Sequence, residues 1–231
     1  MTITLITGAN KGLGFEAARR LIDAGHTVYL GSRDAEKGAE AAAALGAGPV
    51  RLDVTDDASV ADALAEIGRL EGRIDVLVNN AGIIGPQVAV AELTAGDVRR
   101  TFETNVFGIV RTIHAALPLL RASENPVVVN VASGLGFPRF VTDPSRVESR
   151  FPTPAYGSSK AAVIMLSLQY AKSLPGIRIN AVDPGYTATD LNGNSGTQSV
   201  EEGTDAIVRL ATIGADGPTG TFQDRDGLID Y

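Results

Sequence analysis

The chain of 231 residues contains no cysteine. That single absence excludes disulfides, cysteine nucleophiles, iron–sulfur clusters and thiolate zinc sites. Histidine is nearly absent too: His26 and His114 are the only two, and they lie far apart in sequence. A histidine zinc centre and a Ser–His–Asp hydrolase are therefore poorly supported, and no metal site is assigned. Basic charge is also in short supply. The 20 Lys and Arg against 27 Asp and Glu leave a net charge of −7, without the basic face that nucleic-acid binding requires. No apolar run approaches the roughly 18–20 residues of a membrane span. The first eight residues lack the basic and apolar regions of a signal peptide. The expectation is a cytoplasmic protein with neither nucleic acid nor membrane as partner.

What the chain does have is a composition 44% hydrophobic and 20% charged, normal for a folded globular protein. Its length permits one domain, and nothing reads as a linker, so residues 1–231 are expected to fold as one unit. Short β-branched runs at 3–6, 27–30, 50–52, 75–78, 127–131, 178–182 and 221–223 alternate with helical stretches. These occupy 14–24, 35–45, 59–70, 94–120, 156–173 and 200–211. The strand runs are continuously apolar, the pattern of strands covered on both faces. Repeated strand–helix–strand order predicts an α/β architecture of three layers, doubly wound around a mostly parallel seven-stranded sheet. Two stretches break the rhythm. Residues 134–155 carry Pro138, Pro144, Pro152 and Pro154 and cannot form one regular element. Residues 186–199 are rich in Gly, Asn, Ser and Thr, as expected of a mobile loop. Both follow strands, where ligands of open α/β sheets bind.

The first strand runs into Thr7-Gly8-x3-Gly12-x-Gly14 and then a helix. Glycines allow a tight turn and close approach to a pyrophosphate, whose charge suits a helix N-terminus. Arg33 stands 19 residues after Gly14, just past the second strand, where NAD-selective folds place an acid. Asp34 follows as the cap of the next helix. Two cations, Lys11 and Arg33, flank the predicted ribose position and favour a 2′-phosphate. Asn79-Asn80-Ala81-Gly82 closes the fourth strand, Ser133 follows the fifth, and Tyr156-x3-Lys160 opens a helix. An i, i+4 pair shares one helix face. The ammonium is thus expected to favour phenolate and draw the Tyr156 pKa down towards working pH.

In order and spacing these motifs, with Asp53, Asn105 and Pro184-Gly185, resemble the short-chain dehydrogenase/reductase family over essentially the whole chain. The stretch Thr7–Glu16, Ser32-Arg33-Asp34 and Glu201-Glu202-Gly203 look most like its NADPH-dependent carbonyl-reductase branch. The resemblance implies a Rossmann fold and a set of roles. Gly8, Gly12, Leu13 and Gly14 would cradle the pyrophosphate, and Asn10, Lys11 and Arg33 would surround the adenosine ribose. Asp53 and Val54 would meet adenine, and Asn80, Ala81 and Gly82 the inner ribose. Ser133 would hold the substrate carbonyl while Tyr156 protonates it. Lys160 would bind the nicotinamide ribose, Asn105 a water linking Lys160 to solvent. Pro184, Gly185, Tyr186 and Thr187 would bracket the nicotinamide.

The expected activity is NADP(H)-dependent reduction of a small-molecule ketone, aldehyde or quinone. The alternatives are a non-catalytic NADP-binding sensor or scaffold and an NAD-linked alcohol dehydrogenase. Ser133 and Tyr156 stand 23 residues apart, farther than in most of the family and closer than in monomeric carbonyl reductases. That intermediate insertion implies partial cover of the association helices, hence a monomer or homodimer. Phe137, Phe140 and Tyr186 are candidates either for an apolar pocket wall or for internal packing.

Overall fold

In a computed structural model describing residues 1–230, the apolar runs become strands whose two faces are both covered. Val127–Val131 is buried at every position: Val127, Val129 and Val131 face one core and Val128 the other. The sheet has the order β3-β2-β1-β4-β5-β6-β7-β8. Its strands are β1 (Thr2–Ile6), β2 (His26–Ser32), β3 (Gly48–Arg51), β4 (Val76–Asn79), β5 (Val127–Val131), β6 (Arg178–Val182), β7 (Phe222–Asp224) and β8 (Gly227–Leu228). All neighbours pair parallel except β7 and β8. Among the described residues the sheet therefore has eight strands, not seven. The extra strand is two residues long and antiparallel, too short for an apolar pattern to announce it.

The helices are α1 (Gly12–Asp23), α2 (Ala35–Leu45), α3 (Asp57–Glu71), α4 (Ala95–Phe102), α5 (Gly108–Arg121), α6 (Pro138–Thr142), α7 (Pro154–Ser173) and α8 (Val200–Ala211). One core joins the sheet to α1, α2 and α8 through Ala17, Leu21, Ala42 and Ile207. The other joins it to α3, α5 and α7 through Ile67, Ile113 and Val163. Asp34 caps α2 by accepting from the Lys37 N–H, as the sequence predicts. A buried polar chain crosses the second core. Thr112 donates to Asn79, Asn79 to Asn130, and Asn130 to Ser167, so α5, β4, β5 and α7 are hydrogen-bonded through the sheet.

The stretch predicted as one helix over 94–120 is interrupted. Residues Glu103–Phe107 wind as a π-turn between α4 and α5. One extra residue in the turn rotates Asn105 inward, where it is fully buried. The proline-bearing segment 134–155 is irregular as expected, comprising a 3₁₀ turn at Gly134–Gly136, α6, and a second 3₁₀ turn at Val147–Arg150. It folds inward: Phe137 and Phe140 are buried, with Phe137 between the Phe140 and Phe222 rings at 5.0 and 5.7 Å. Those two phenylalanines are thus core residues rather than pocket wall.

Candidate active site

A crevice of about 1540 Å³ runs along the carboxyl ends of the strands, from Arg33 and Asp53 to Phe151 and Tyr186. At its β1 end the backbone forms the wall. Gly8 has φ +63, and a Cβ there would lie 2.9 Å from the Ala81 Cα, so no other residue fits without a shift. The Thr7 hydroxyl oxygen accepts from the N–H groups of Asn80 and Ala81, both at 3.0 Å. The Asn80 amide in turn donates to the carbonyls of Thr7 and Gly8, both at 2.9 Å. Asn80 therefore staples the glycine turn to β4 through its side-chain amide while itself lining the crevice. Gly14 is buried beneath the turn and does not line it.

Helix α1 starts at Gly12 with neither a capping side chain nor an acid in its first turn, so its first amides remain available to an anion. Lys11 reaches away from that turn to Asp190, at 2.9 Å, across the mouth of the crevice. Arg33 is exposed and makes no ion pair among the described residues. Burial would raise the nearby Asp53 carboxyl, but the Thr55 N–H and hydroxyl hold it below the usual range, helped by Arg33 and Arg51.

Ser133, Tyr156 and Lys160 meet at the other end. The close approach that brings them together needs Gly136: a Cβ there would fall 2.4 Å from the backbone of Lys160 and Ala161. The serine turn thus lies directly on α7. Tyr156 and Lys160 are 8% and 4% exposed, and the Ser133 hydroxyl lies close enough to the Tyr156 phenol to favour its ionised form. The Lys160 ammonium lies 5.6 Å from the Tyr156 ring centre and donates to the Val131 carbonyl at 2.7 Å. The expected depression of the phenol pKa is not what this geometry produces. Burial pushes Tyr156 above its ordinary value, the Asp183 carboxylate adds to the rise, and only the Ser133 hydroxyl opposes it. Burial also pulls Lys160 down to about 8, against the pull of Asp183. Lys160 is not among the groups that shift the phenol, so nothing cationic offsets its desolvation.

Asn105 accepts from the Ile83 N–H and donates to the Ile83 carbonyl and to Ser159. A Cβ on Gly82 would lie 3.4 Å from Asn105 Oδ1 and 3.6 Å from Lys160 Nζ, so the two polar groups converge beside Gly82. Of the other residues singled out in the sequence, Asn10, Leu13, Val54, Pro184, Gly185 and Thr187 all line the crevice. Tyr186 lines it too, its ring 5.5 Å from that of Phe151.

Sequence reasoning missed Phe151, Val88, Val90 and Leu191, exposed apolar side chains on the crevice rim. No spacing motif marks them. It also missed the buried acids Glu148 and Asp183. The prolines around Glu148 drew attention to the segment, not to the acid.

A family model described as short chain dehydrogenase matches residues 2–199. A protein named short-chain dehydrogenase/reductase 1, from Saponaria officinalis, is 35% identical, covering 98% of this chain and 95% of that protein. A (+)-neomenthol dehydrogenase from Capsicum annuum is 31% identical and covers 94% of each chain. Among solved structures, salutaridine reductase from Papaver somniferum matches with a TM-score of 0.85 at 26% identity, covering 96% of this chain and 99% of that one.

Proposed function

Because the chain belongs to the short-chain dehydrogenase/reductase family of oxidoreductases, we propose that it is an NADPH-dependent reductase of apolar ketones, aldehydes or quinones. The observation that carries this reading is the junction of Ser133, Tyr156 and Lys160 at the closed end of one long crevice. A non-catalytic binding protein would have no need of that junction.

The crevice suits a dinucleotide. Gly8 leaves room where a Cβ would collide, and the uncapped start of α1 suits a pyrophosphate. Arg33, exposed beside Asp53, supports a 2′-phosphate at the adenosine end. Lys11 is assigned the same phosphate, in competition with Asp190. Gly8, Gly12 and Leu13 would hold the pyrophosphate, with Gly14 supporting the turn from below. Asn10 would border the adenosine ribose, Asp53 and Val54 the adenine, and Ala81 and Gly82 the inner ribose. Pro184 to Thr187 would bracket the nicotinamide.

A bound nicotinamide supplies a hydride to the carbonyl carbon. The chain supplies position and a proton. Ser133 holds the carbonyl oxygen, and Tyr156, buried and protonated, donates its phenolic proton to that oxygen. Lys160 anchors the ribose hydroxyls and sits on the route by which Tyr156 regains a proton. Asn105, beside it, holds a water on that route.

The apolar rim formed by Val88, Val90, Phe151 and Leu191 supports a bulky, uncharged substrate. The names of the neomenthol dehydrogenase and salutaridine reductase relatives agree with such a choice. A panel of carbonyl compounds tests the reading, with consumption of NADPH or NADH as the signal. Substituted cyclic ketones are expected to turn over fastest with NADPH, and small keto acids hardly at all. Preference for NADH, or for charged substrates, would overturn it. We further assign the assembly as monomer or homodimer, which light scattering checks against a tetramer of 23.9 kDa chains.

A further inference from the structure

A buried acidic cluster takes no part in the roles above. Asp183, directly after β6, is 5% exposed, and Glu148, in the segment 134–155, is 8% exposed. A Cβ on Gly134 would lie 2.7 Å from Asp183 Oδ2 and equally 2.7 Å from Glu148 Oε1, so the two carboxylates meet over that glycine. Arg146 closes the cluster. Its Nε donates to Glu148 Oε2 at 3.1 Å, its Nη2 to Oε1 at 2.9 Å, and its guanidinium lies 3.4 Å from the Phe140 ring centre. Asp224 of β7 adds a further negative charge.

Two carboxylates so largely removed from water are costly unless hydrogen bonds hold them. Asp183 finds those bonds in two turns of backbone. The Gly185 N–H donates to its Oδ1 at 3.0 Å, and its Oδ2 lies against the Gly134 backbone, whose amide stabilises the charge. Gly134 follows Ser133, and Gly185 precedes Tyr186. One side chain therefore ties the serine turn to the turn beyond β6.

We propose that Asp183 is a positioning residue for the proton transfer: it clamps the Ser133 and Gly185 turns together and sets a negative charge beside Tyr156 and Lys160, and the Arg146–Glu148 pair of the insertion packs against it over Gly134. The inference rests on Tyr156 being the proton donor. A negative charge beside a phenol favours its protonated form, and beside an ammonium favours the charged form. Reduction starts from the protonated phenol, whereas alcohol oxidation needs the phenolate. Asp183 thus biases the centre towards reduction.

Burial raises Asp183 to about 6, and Glu148 and Asp224 add to the rise while the Gly134 and Gly185 amides oppose it. The charge is therefore present above that pH and lost below it.

The test compares pH profiles of kcat/KM in both directions, using the best carbonyl compound of the panel and its alcohol, for the unmodified enzyme, Asp183→Asn and Glu148→Gln. In Asp183→Asn the alkaline limb of reduction should move down by about one pH unit, and oxidation should gain at neutral pH. Hydrogen exchange of the Gly134 and Gly185 amides, measured on the protein alone, should accelerate about tenfold, as when a bond to a charged acceptor weakens. A profile parallel to that of the unmodified enzyme, or unchanged exchange, overturns the proposal. Glu148→Gln removes a like charge and leaves Asp183 in place, so its acid limb should fall below the unmodified value near 6. If Asp183→Asn does not fold, an unmoved acid limb in Glu148→Gln is decisive against the clamp. Full turnover by Tyr156→Phe would instead defeat the reading of the site itself, a distinguishable failure.

Discussion

On the β1 side of the crevice the wall is backbone, set by Gly8 against Ala81 and by the Asn80 amide bound to the carbonyls of Thr7 and Gly8. On the β6 side the wall is side chain: Tyr156 on Ser133, Phe151 on Tyr186, and Asp183 under both turns. The first arrangement admits few residue types, because backbone meets backbone there. The second depends on side-chain contacts and tolerates variety at the rim. Shared cofactor chemistry belongs on the first kind of wall, and substrate choice on the second.

The largest expected effect lies on the side-chain wall. Tyr156→Phe should lower turnover by roughly 10²–10⁴-fold, the usual worth of a positioned acid, while NADPH affinity measured by fluorescence stays near normal. Parallel losses in both would break the division. Two left-handed glycines sharpen it next. Gly8 and Gly193 have nearly the same φ, +63 and +62, but a Cβ meets Ala81 at the first and nothing within 4 Å at the second. Gly193→Ala should cost only the conformational strain, about 1–2 kcal/mol in urea unfolding. Gly8→Ala should cost more and weaken nucleotide binding as well. Equal costs would mean that the backbone contact at Gly8 is unimportant.

A smaller effect is expected at Arg33. Its replacement by alanine should raise the dissociation constant for NADPH about tenfold and leave that for NADH nearly unchanged, as for the loss of a charge-assisted phosphate contact. The smallest concerns the exposed Lys11–Asp190 pair. Exposed pairs are weak, so Asp190→Asn should tighten NADPH by no more than a few-fold. A much larger gain would make Asp190 a dominant selector.

The same division decides what could be read from the sequence. The strand–helix alternation, the glycine turn, the Asp34 cap and the motif set at Asn105, Ser133, Tyr156 and Lys160 were legible, because each is a local pattern or a motif at fixed spacing. The expected roles of these residues remain assignments for the tests above. The bond of the Asn80 amide to the glycine turn was not legible, since hydrogen-bond direction leaves no trace in spacing. The Tyr156–Lys160 spacing correctly put both groups on one helix face. It carried no information on how completely burial would desolvate them, and desolvation decides the sign of both shifts. Asp183 and Glu148 were invisible for a related reason: charged residues are usually exposed, and only the fold brings this pair inside.

The rims of the sheet carry a consequence for solubility. An outer strand normally presents unpaired N–H and C=O groups on which another chain can crystallise its own strand. Here β3 is four residues long and includes Pro49, which has no N–H to offer. At the opposite rim β8 has only two residues, after a tight turn through Asp224 and Asp226. Both native rims are therefore short, and each offers little open ladder to a second chain.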